Sequence, residues 1–329
     1  MKALASVCLS ILLLQGIALV RPDLFPVLVF KNEDFGLVGW QSYHSYSEIS
    51  NVLLTLNETC PEVMEVSAIG ESVNNRAIYC VRLTNESETK PKPEVFFVGC
   101  HHGNEQITSE LTLFFVTYVA TNYRLNKTIA DLVNNCEVYV VVALNVDRLD
   151  SYDESGWRSY EYRRNMHGVD LNRNYAYEWV NGSGGGFEPF SEPETIAIRD
   201  FVLEHNFEYA ISFHSGAEMI LYPWNHNRTK TLDDARFVEV VKDISKVTRG
   251  TAYRQGSLLY IANGTWDDWM YGERAVIAIT IEIYGNEPIG VGTGGYYFNP
   301  KVEYIEINLK RWLPAFFYIV NRAVDESTD

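Results

Sequence analysis

"EVFFVGCHHGNEQITSE", residues 94–110, runs from five β-prone residues through a polar turn into the start of a helical pattern. A run that short, with Val95, Phe96, Phe97 and Val98 adjacent, suits a strand buried on both faces, as parallel strands are. The turn carries His101 and His102 and, three residues beyond the second, Glu105. Three comparable runs follow: "EVYVVVALN" from 137, "YAISFH" from 209 and "AVIAITIEIYG" from 275. Helical spacing of apolar residues lies between them, over 106–122 and 192–205. Strands alternating with helices predict an α/β fold: a single domain with a central mixed, mostly parallel twisted sheet flanked by helices. Ahead of this core, "YSEISNVLLTLNETCP" (46–61) reads as a helix stopped at Cys60-Pro61, and residues 63–85 read as two strands around Asn74-Asn75.

The polar residues fall where each apolar run ends. His102 and Glu105 follow the first; Asn145, Asp147 and Arg148 follow the second; His214 ends the third; Glu282 sits in the last half of the fourth. Ligands of open α/β sheets bind outside the carboxyl ends of the strands, so these groups are expected to share one site. His102 and Glu105, three apart at a strand end before a helix, can turn toward one point. His₂Glu with an open fourth position is an established catalytic zinc set, and His214 is the best third member because it ends a buried strand. His101 has Asn104 three residues on and so lacks a carboxylate partner; it is expected to be a neighbour of the metal site. Glu282 inside an apolar strand is costly to bury without a partner. A base beside a metal explains it, with a structural ion pair as the alternative.

In order along the chain, "HHGNE", "RRNMHGVDLNRNY", "SFHSGAEMILYP", "LLYIANGTWDDW" and "ITIEIYG" resemble the successive motifs of zinc metallocarboxypeptidases of the carboxypeptidase A/B type. The resemblance covers roughly residues 43–320. It implies one Zn²⁺ per chain held by His102, Glu105 and His214. Glu282 would be the general base for the attacking water and then proton donor to the leaving amine. Asn172 and Arg173 would hold the substrate's terminal carboxylate, Tyr260 would close over it, and Arg163 would polarise the scissile carbonyl. "GWRSYEYRRN" also offers Arg158 and Arg164; Arg163 is preferred because "RRN" best matches the family's Arg-Lys-Asn. These types suit the chemistry: a carboxylate can accept and return a proton, and an arginine fork matches a carboxylate bidentately.

In the same family the residue seven after the mobile tyrosine sets the pocket floor, which lands here on Asp267. An acidic floor implies C-terminal Lys or Arg; an apolar one would imply aromatic or aliphatic residues. Asp267 or Asp268 as a helix cap is the bland alternative. Trp266 departs from the small residue usual there, and could narrow the pocket or stack on an arginine.

Charge and targeting point the same way. Lys plus Arg total 27 against 43 Asp plus Glu, a net charge of −16, which argues against nucleic acid as partner. "MKALASVCLSILLLQGIALV" opens the chain as a secretory signal over 1–18, with Gly16 and Ala18 as a small-x-small cleavage site; an uncleaved anchor is the alternative. "WLPAFFYIV" near the C-terminus is too short to span a bilayer and reads as a packed terminal element. Six N-x-Ser/Thr sequons, at Asn57, Asn85, Asn126, Asn181, Asn227 and Asn263, fit a secreted, extracellular glycoprotein. Asn263 lies in the Tyr260 loop, where a glycan would crowd the pocket, so it is expected to stay unmodified. With Cys8 lost in the signal, Cys60, Cys80, Cys100 and Cys136 suit one or two disulfides, with three pairings open. Residues 19–42 are a short lead, too few to fold as an inhibitory pro-domain, so 43–329 is expected to be a catalytic domain that needs no such activation and carries no appended β-sandwich.

The expected protein is a secreted, monomeric zinc exopeptidase acting on the C-termini of peptides or proteins, without stable membrane association. A γ-glutamyl or cell-wall peptidase or deacylase of the same chemistry remains open, as does a non-catalytic binding protein.

Overall fold

The computed structural model describes residues 42–151, 160–285, 288–289, 295–296 and 298–328. The signal, nearly all of the lead and Arg158 lie outside them. Helix α1 (Tyr46–Thr59) starts with a reciprocal cap, in which the Ser45 side chain accepts from the Glu48 N–H and Glu48 accepts from the Ser45 N–H. Strands β1 (Met64–Glu71) and β2 (Ala77–Leu83) follow as an antiparallel hairpin. Asn75 takes the left-handed backbone (φ 58°) that its turn requires, one that Asn tolerates.

Then come β3 (Glu94–Val98), α2 (Ile107–Asn122), α3 (Lys127–Asn135), β4 (Glu137–Val141), α4 (Pro193–Leu203) and β5 (Phe207–His214). The remainder is β6 (Ala217–Tyr222), α5 (Asp234–Val247), β7 (Tyr253–Gln255), α6 (Trp266–Arg274), β8 (Ile277–Tyr284) and α7 (Ile305–Ser327), with a short pair β9 (Pro288–Ile289) and β10 (Gly295–Tyr296) before α7. The eight-stranded sheet runs β1-β2-β4-β3-β5-β8-β6-β7. Its centre, β4-β3-β5-β8, is wholly parallel and consists of the four apolar runs recognised in the sequence. Antiparallel pairs join that block to the hairpin on one side and to β6 on the other. The mixed, mostly parallel sheet is therefore as expected.

Helices cover both ends of the argument for burial. Helix α2 is buried almost along its whole length, so it is apolar all round rather than on one stripe. Helix α7 contains "WLPAFFYIV" and buries Trp312, Phe316 and Phe317. Among the described residues, no helix is long and apolar enough to cross a membrane. Phe316 of α7 stacks on Phe115 of α2 (ring centroids 4.3 Å apart) and lies 4.6 Å from Phe213 of β5 and 4.7 Å from Phe97 of β3. This cluster locks two helices onto the two central strands whose ends carry the histidines. Just beyond β3, Gly99 is enforced by close approach: a Cβ there would stand 2.6 Å from the Val142 carbonyl oxygen. That contact seats the His101–Glu105 turn.

The expected disulfides are absent. Cys60, Cys80, Cys100 and Cys136 are free thiols, the last three buried. The strand register explains why. Cys100 lies two residues past the end of β3 and Cys136 one residue before the start of its parallel neighbour β4, about seven register positions or ~23 Å apart along the strand direction. Cys80 pairs with Val141, at the far end of β4 from Cys136. A disulfide needs Cα atoms within about 7 Å. These thiols behave as small core hydrophobes.

Truncating the aromatic lock should be costly. Phe316→Ala is expected to lose about 3–5 kcal/mol in urea unfolding, whereas an exposed change such as Leu232→Ala should cost little.

Candidate active site

The carboxyl ends of β3, β5 and β8 meet in one cleft. Residue pairing places Val98, the end of β3, opposite Ser212, and His214, the end of β5, opposite Glu282. Each strand therefore runs two residues past the one before it, and the three carboxyl ends form a short stair. The turn after β3 then delivers His102 and Glu105, both buried. His102, Glu105 and His214 each offer one ligand atom, and these atoms lie within 4.8 Å of one another, the only such metal-ligating group among the described residues. The His102 and His214 Nδ1 atoms are 3.1 Å apart. Glu105 Oε1 lies 2.8 Å from the first and Oε2 3.0 Å from the second.

Protonation logic tests whether a cation fits there. His102 Nε2 faces Asp170 Oδ1 at 3.1 Å, and Asp170 held ionised can only accept, so the proton sits on Nε2 and the Nδ1 lone pair points into the cluster. Burial alone would raise the Asp170 carboxyl, but Arg163, with His102 and Arg173, holds it well below the usual carboxylate range. Burial likewise opposes ionisation of Glu105, yet the two imidazoles bring it down too. His214 Nε2 is occupied by the Ser212 hydroxyl at 2.9 Å. Two inward nitrogens and a carboxylate, buried together, are a donor set for a divalent ion of borderline softness, and Zn²⁺ fits it.

His101 is a neighbour rather than a member, as expected. Its Nδ1 shares Ser212 Oγ (2.9 Å) with His214, and its Nε2 meets the Tyr175 hydroxyl (2.9 Å). Burial first, and then the neighbouring imidazoles of His214 and His102, drive its pKa well down, so it stays neutral.

Glu282 faces the same cleft, and its Oε2 is buried with no hydrogen-bond partner. Burial first, then the like charge of Glu105, pushes its pKa up to about 8. Arg163 Nε donates to Asp170 Oδ2 (2.8 Å) while its Nη1 is 3.5 Å from Glu105 Oε1, and it lines the cleft. Asn172 and Arg173 sit on a 3₁₀ turn (Leu171–Arg173) that Asp170 caps by accepting from the Asn172 N–H at 3.0 Å. Asn172 Oδ1 in turn accepts from the Trp266 N–H at 2.8 Å, tying the turn to α6. Half-exposed Tyr260 reaches Arg173, hydroxyl to Nη2, at 3.4 Å.

Asp267 is a lining residue and not the helix cap, which is Thr265. Its Oδ1 accepts from Asn225 Nδ2 (2.8 Å) and its Oδ2 from Thr280 Oγ1 (3.2 Å). Burial and then Asp268 raise its pKa to about 6. Asp268 is spent elsewhere, accepting from the backbone of Asn225 and His226 and pairing with His226 Nδ1 at 2.7 Å. Trp266 neither narrows the cleft nor stacks on an arginine: it is fully buried, edge-on to His101 and beside Phe96. Asn263 donates its Nδ2 to the Glu178 carbonyl (3.0 Å), so the sequon nitrogen in this loop is already engaged.

All nine residues that the resemblance assigns to the site thus converge. Asn145, Asp147 and Arg148, also expected there, do not line the cleft: Asp147 accepts from Ser72 and Asn74, and Arg148 donates to the carbonyls of Arg164 and Asn165. Asp170, Ser212, Asn225 and Thr280 were missed. Asp170 had a detectable signal, an Asp two residues ahead of Asn172 in "DLNRN", the pattern of a short-turn cap; the other three have none, being ordinary polar residues in or beside strands.

The sequence profile of the zinc carboxypeptidase family matches residues 49–312. Carboxypeptidase B of Astacus astacus is 31% identical over 272 residues, covering 75% of this chain and 88% of that protein. Carboxypeptidase B2 of Rattus norvegicus is 29% identical over 270 residues, covering 74% of this chain, which spans 63% of the rat protein's length. In structure, bovine thrombin-activatable fibrinolysis inhibitor, solved with a tick carboxypeptidase inhibitor, superposes with a TM-score of 0.72 at 25% identity over 87% of this chain and 99% of that one. Carboxypeptidase A of Helicoverpa armigera shares the fold, with a TM-score of 0.74 at 21% identity over 89% and 76% of the two chains. A profile match over most of the sequence, on a fold whose strand ends gather a His-Glu-His set, makes this chain a member of the zinc carboxypeptidase family.

Proposed function

We propose that this chain is a secreted exopeptidase that removes the last residue of peptides or proteins and prefers Lys or Arg there. The observation that carries the reading is the common cleft: Asn172, Arg173 and Tyr260 line it together with the metal-ligating cluster and Glu282, and Asp267 is its other carboxylate. Secretion rests on the N-terminal apolar run and the six sequons.

The roles follow from position. The Arg173 guanidinium and the Asn172 amide receive the substrate's terminal carboxylate, so only a chain end is accepted. Tyr260, already within reach of Arg173, closes over it. His102, Glu105 and His214 would hold the zinc, which when bound would supply Lewis acidity toward the scissile carbonyl and the attacking water. Arg163, fixed by Asp170, presents a cation to the developing oxyanion. Glu282, with one oxygen unpartnered, takes the proton of the water and returns it to the leaving amine. Asp267 faces the departing side chain. A deacylase would not need the Tyr260 and Arg173 pair, and a non-catalytic binding protein would not need Glu282 free.

Glu282→Gln should lower kcat on a peptide ending in Lys by about 10²-fold or more while zinc content, measured by mass spectrometry of the metal, stays at one per chain. Activity close to wild type would remove Glu282 from the mechanism. Asp267→Ser should reverse the selectivity, so that substrates ending in Leu are cleaved faster than those ending in Lys. The wild-type Lys-to-Leu ratio of kcat/KM should also depend on pH. A carboxyl with pKa about 6 is ionised above that pH and neutral below it, so the ratio should fall as pH drops through about 6. A ratio flat from pH 5 to 8 would show that Asp267 does not read the substrate's charge.

A further inference from the structure

The way Asp267 is held carries a finer selectivity, one that rests on the proposed basic preference. We propose that this pocket discriminates between the two basic side chains and favours lysine over arginine.

An ionised carboxylate has about four lone-pair positions, and an arginine fork needs both oxygens presented side by side. Here one oxygen is consumed by the protein. Asp267 Oδ1 accepts from Asn225 Nδ2 at 2.8 Å and from the Asp268 backbone N–H at 3.2 Å. Neither donor can turn away: the first is a buried amide that also donates to Thr265 Oγ1 (3.2 Å) and Asp268 Oδ1 (3.0 Å), and the second belongs to the first turn of α6. Oδ2 is met by the Thr280 hydroxyl, at 3.2 Å, and the Thr265 side chain also hydrogen-bonds this carboxylate. A hydroxyl is a rotor, able to exchange donation for acceptance.

An ammonium is suited to what remains. It carries three donors on a compact charge and needs one carboxylate oxygen plus further acceptors around it. Asp267 Oδ2, with the hydroxyl oxygens of Thr280 and Thr265, provides them, because all three residues line the cleft. Leu221 and Ala262, in the same lining, give the aliphatic stem an apolar wall. A guanidinium in that place would bring five N–H donors in a fixed fork to the same three acceptors, one carboxylate oxygen and two hydroxyls, leaving some donors desolvated and unpaired. That imbalance should reduce kcat/KM by about tenfold or more relative to lysine.

The test compares zinc-loaded enzyme on benzoyl-Gly-Lys, benzoyl-Gly-Arg and benzoyl-Gly-Phe. The expected result is a Lys-to-Arg ratio of kcat/KM of about ten or more. A ratio near one, or in favour of Arg, overturns the proposal while leaving basic specificity intact. Faster cleavage of the Phe substrate than of both others overturns the basic reading itself, so the two failures are distinguishable. Thr280→Val should bring the ratio toward one, chiefly by slowing the Lys substrate, and Thr280→Ser should restore it. If Thr280→Val folds and binds zinc as wild type does but keeps the ratio, the hydroxyl contact is not the source of the selection. If it does not fold, the wild-type ratio and Thr280→Ser decide.

Discussion

Two imidazole nitrogens 3.1 Å apart, both turned toward one buried carboxylate, form a ligand set that a divalent cation completes. Burial penalises charge on each of these groups, and Arg163, at 3.5 Å from Glu105, offsets only part of that cost. The fold accepts that cost at the carboxyl ends of β3, β5 and β8. It does so with a rigid base, since Phe97, Phe115, Phe213 and Phe316 pack directly behind the ligand-bearing strands. A core change in that cluster would therefore reach the site through the strands themselves.

Asp170 extends the constraint outward. One carboxylate fixes the tautomer of His102, accepts from Arg163 and caps the turn that presents Asn172 and Arg173. The group that orients His102 is thus also the group that positions Arg163, Asn172 and Arg173. In the proposed mechanism, binding of a chain end and polarisation of its last peptide bond would share this one anchor. On the other side, Asn172 accepts from the Trp266 backbone, which sets the start of α6 and with it Asp267. In the proposed reading, this short path would fix the distance from a substrate's terminal carboxylate to the pocket floor.

Much of this was legible in the sequence because the signals are strong and local. Four apolar runs with polar residues at their ends already implied a parallel centre and a shared site, and His102 with Glu105 needed only three residues of spacing. The path from "DLNRN" to a site was legible only through resemblance, since Asn172 and Arg173 in a loop have no period to betray them. What escaped reading depended on distances between segments. The even number of cysteines suggested disulfides, but register puts Cys100 and Cys136 at opposite ends of adjacent strands, and no count of cysteines contains that fact. Trp266 looked like a pocket residue by position and proved to point under the site, against His101, because the first turn of α6 sends its Asp267 into the cleft and the preceding ring into the core.

The most direct measurement is anomalous scattering across the zinc absorption edge from crystals of the purified protein. A single peak should appear bonded to His102, Glu105 and His214 at about 2.0–2.2 Å, with Glu282 beside it. Absence of a peak there in protein supplied with zinc, or a peak bound by other residues, would contradict the account.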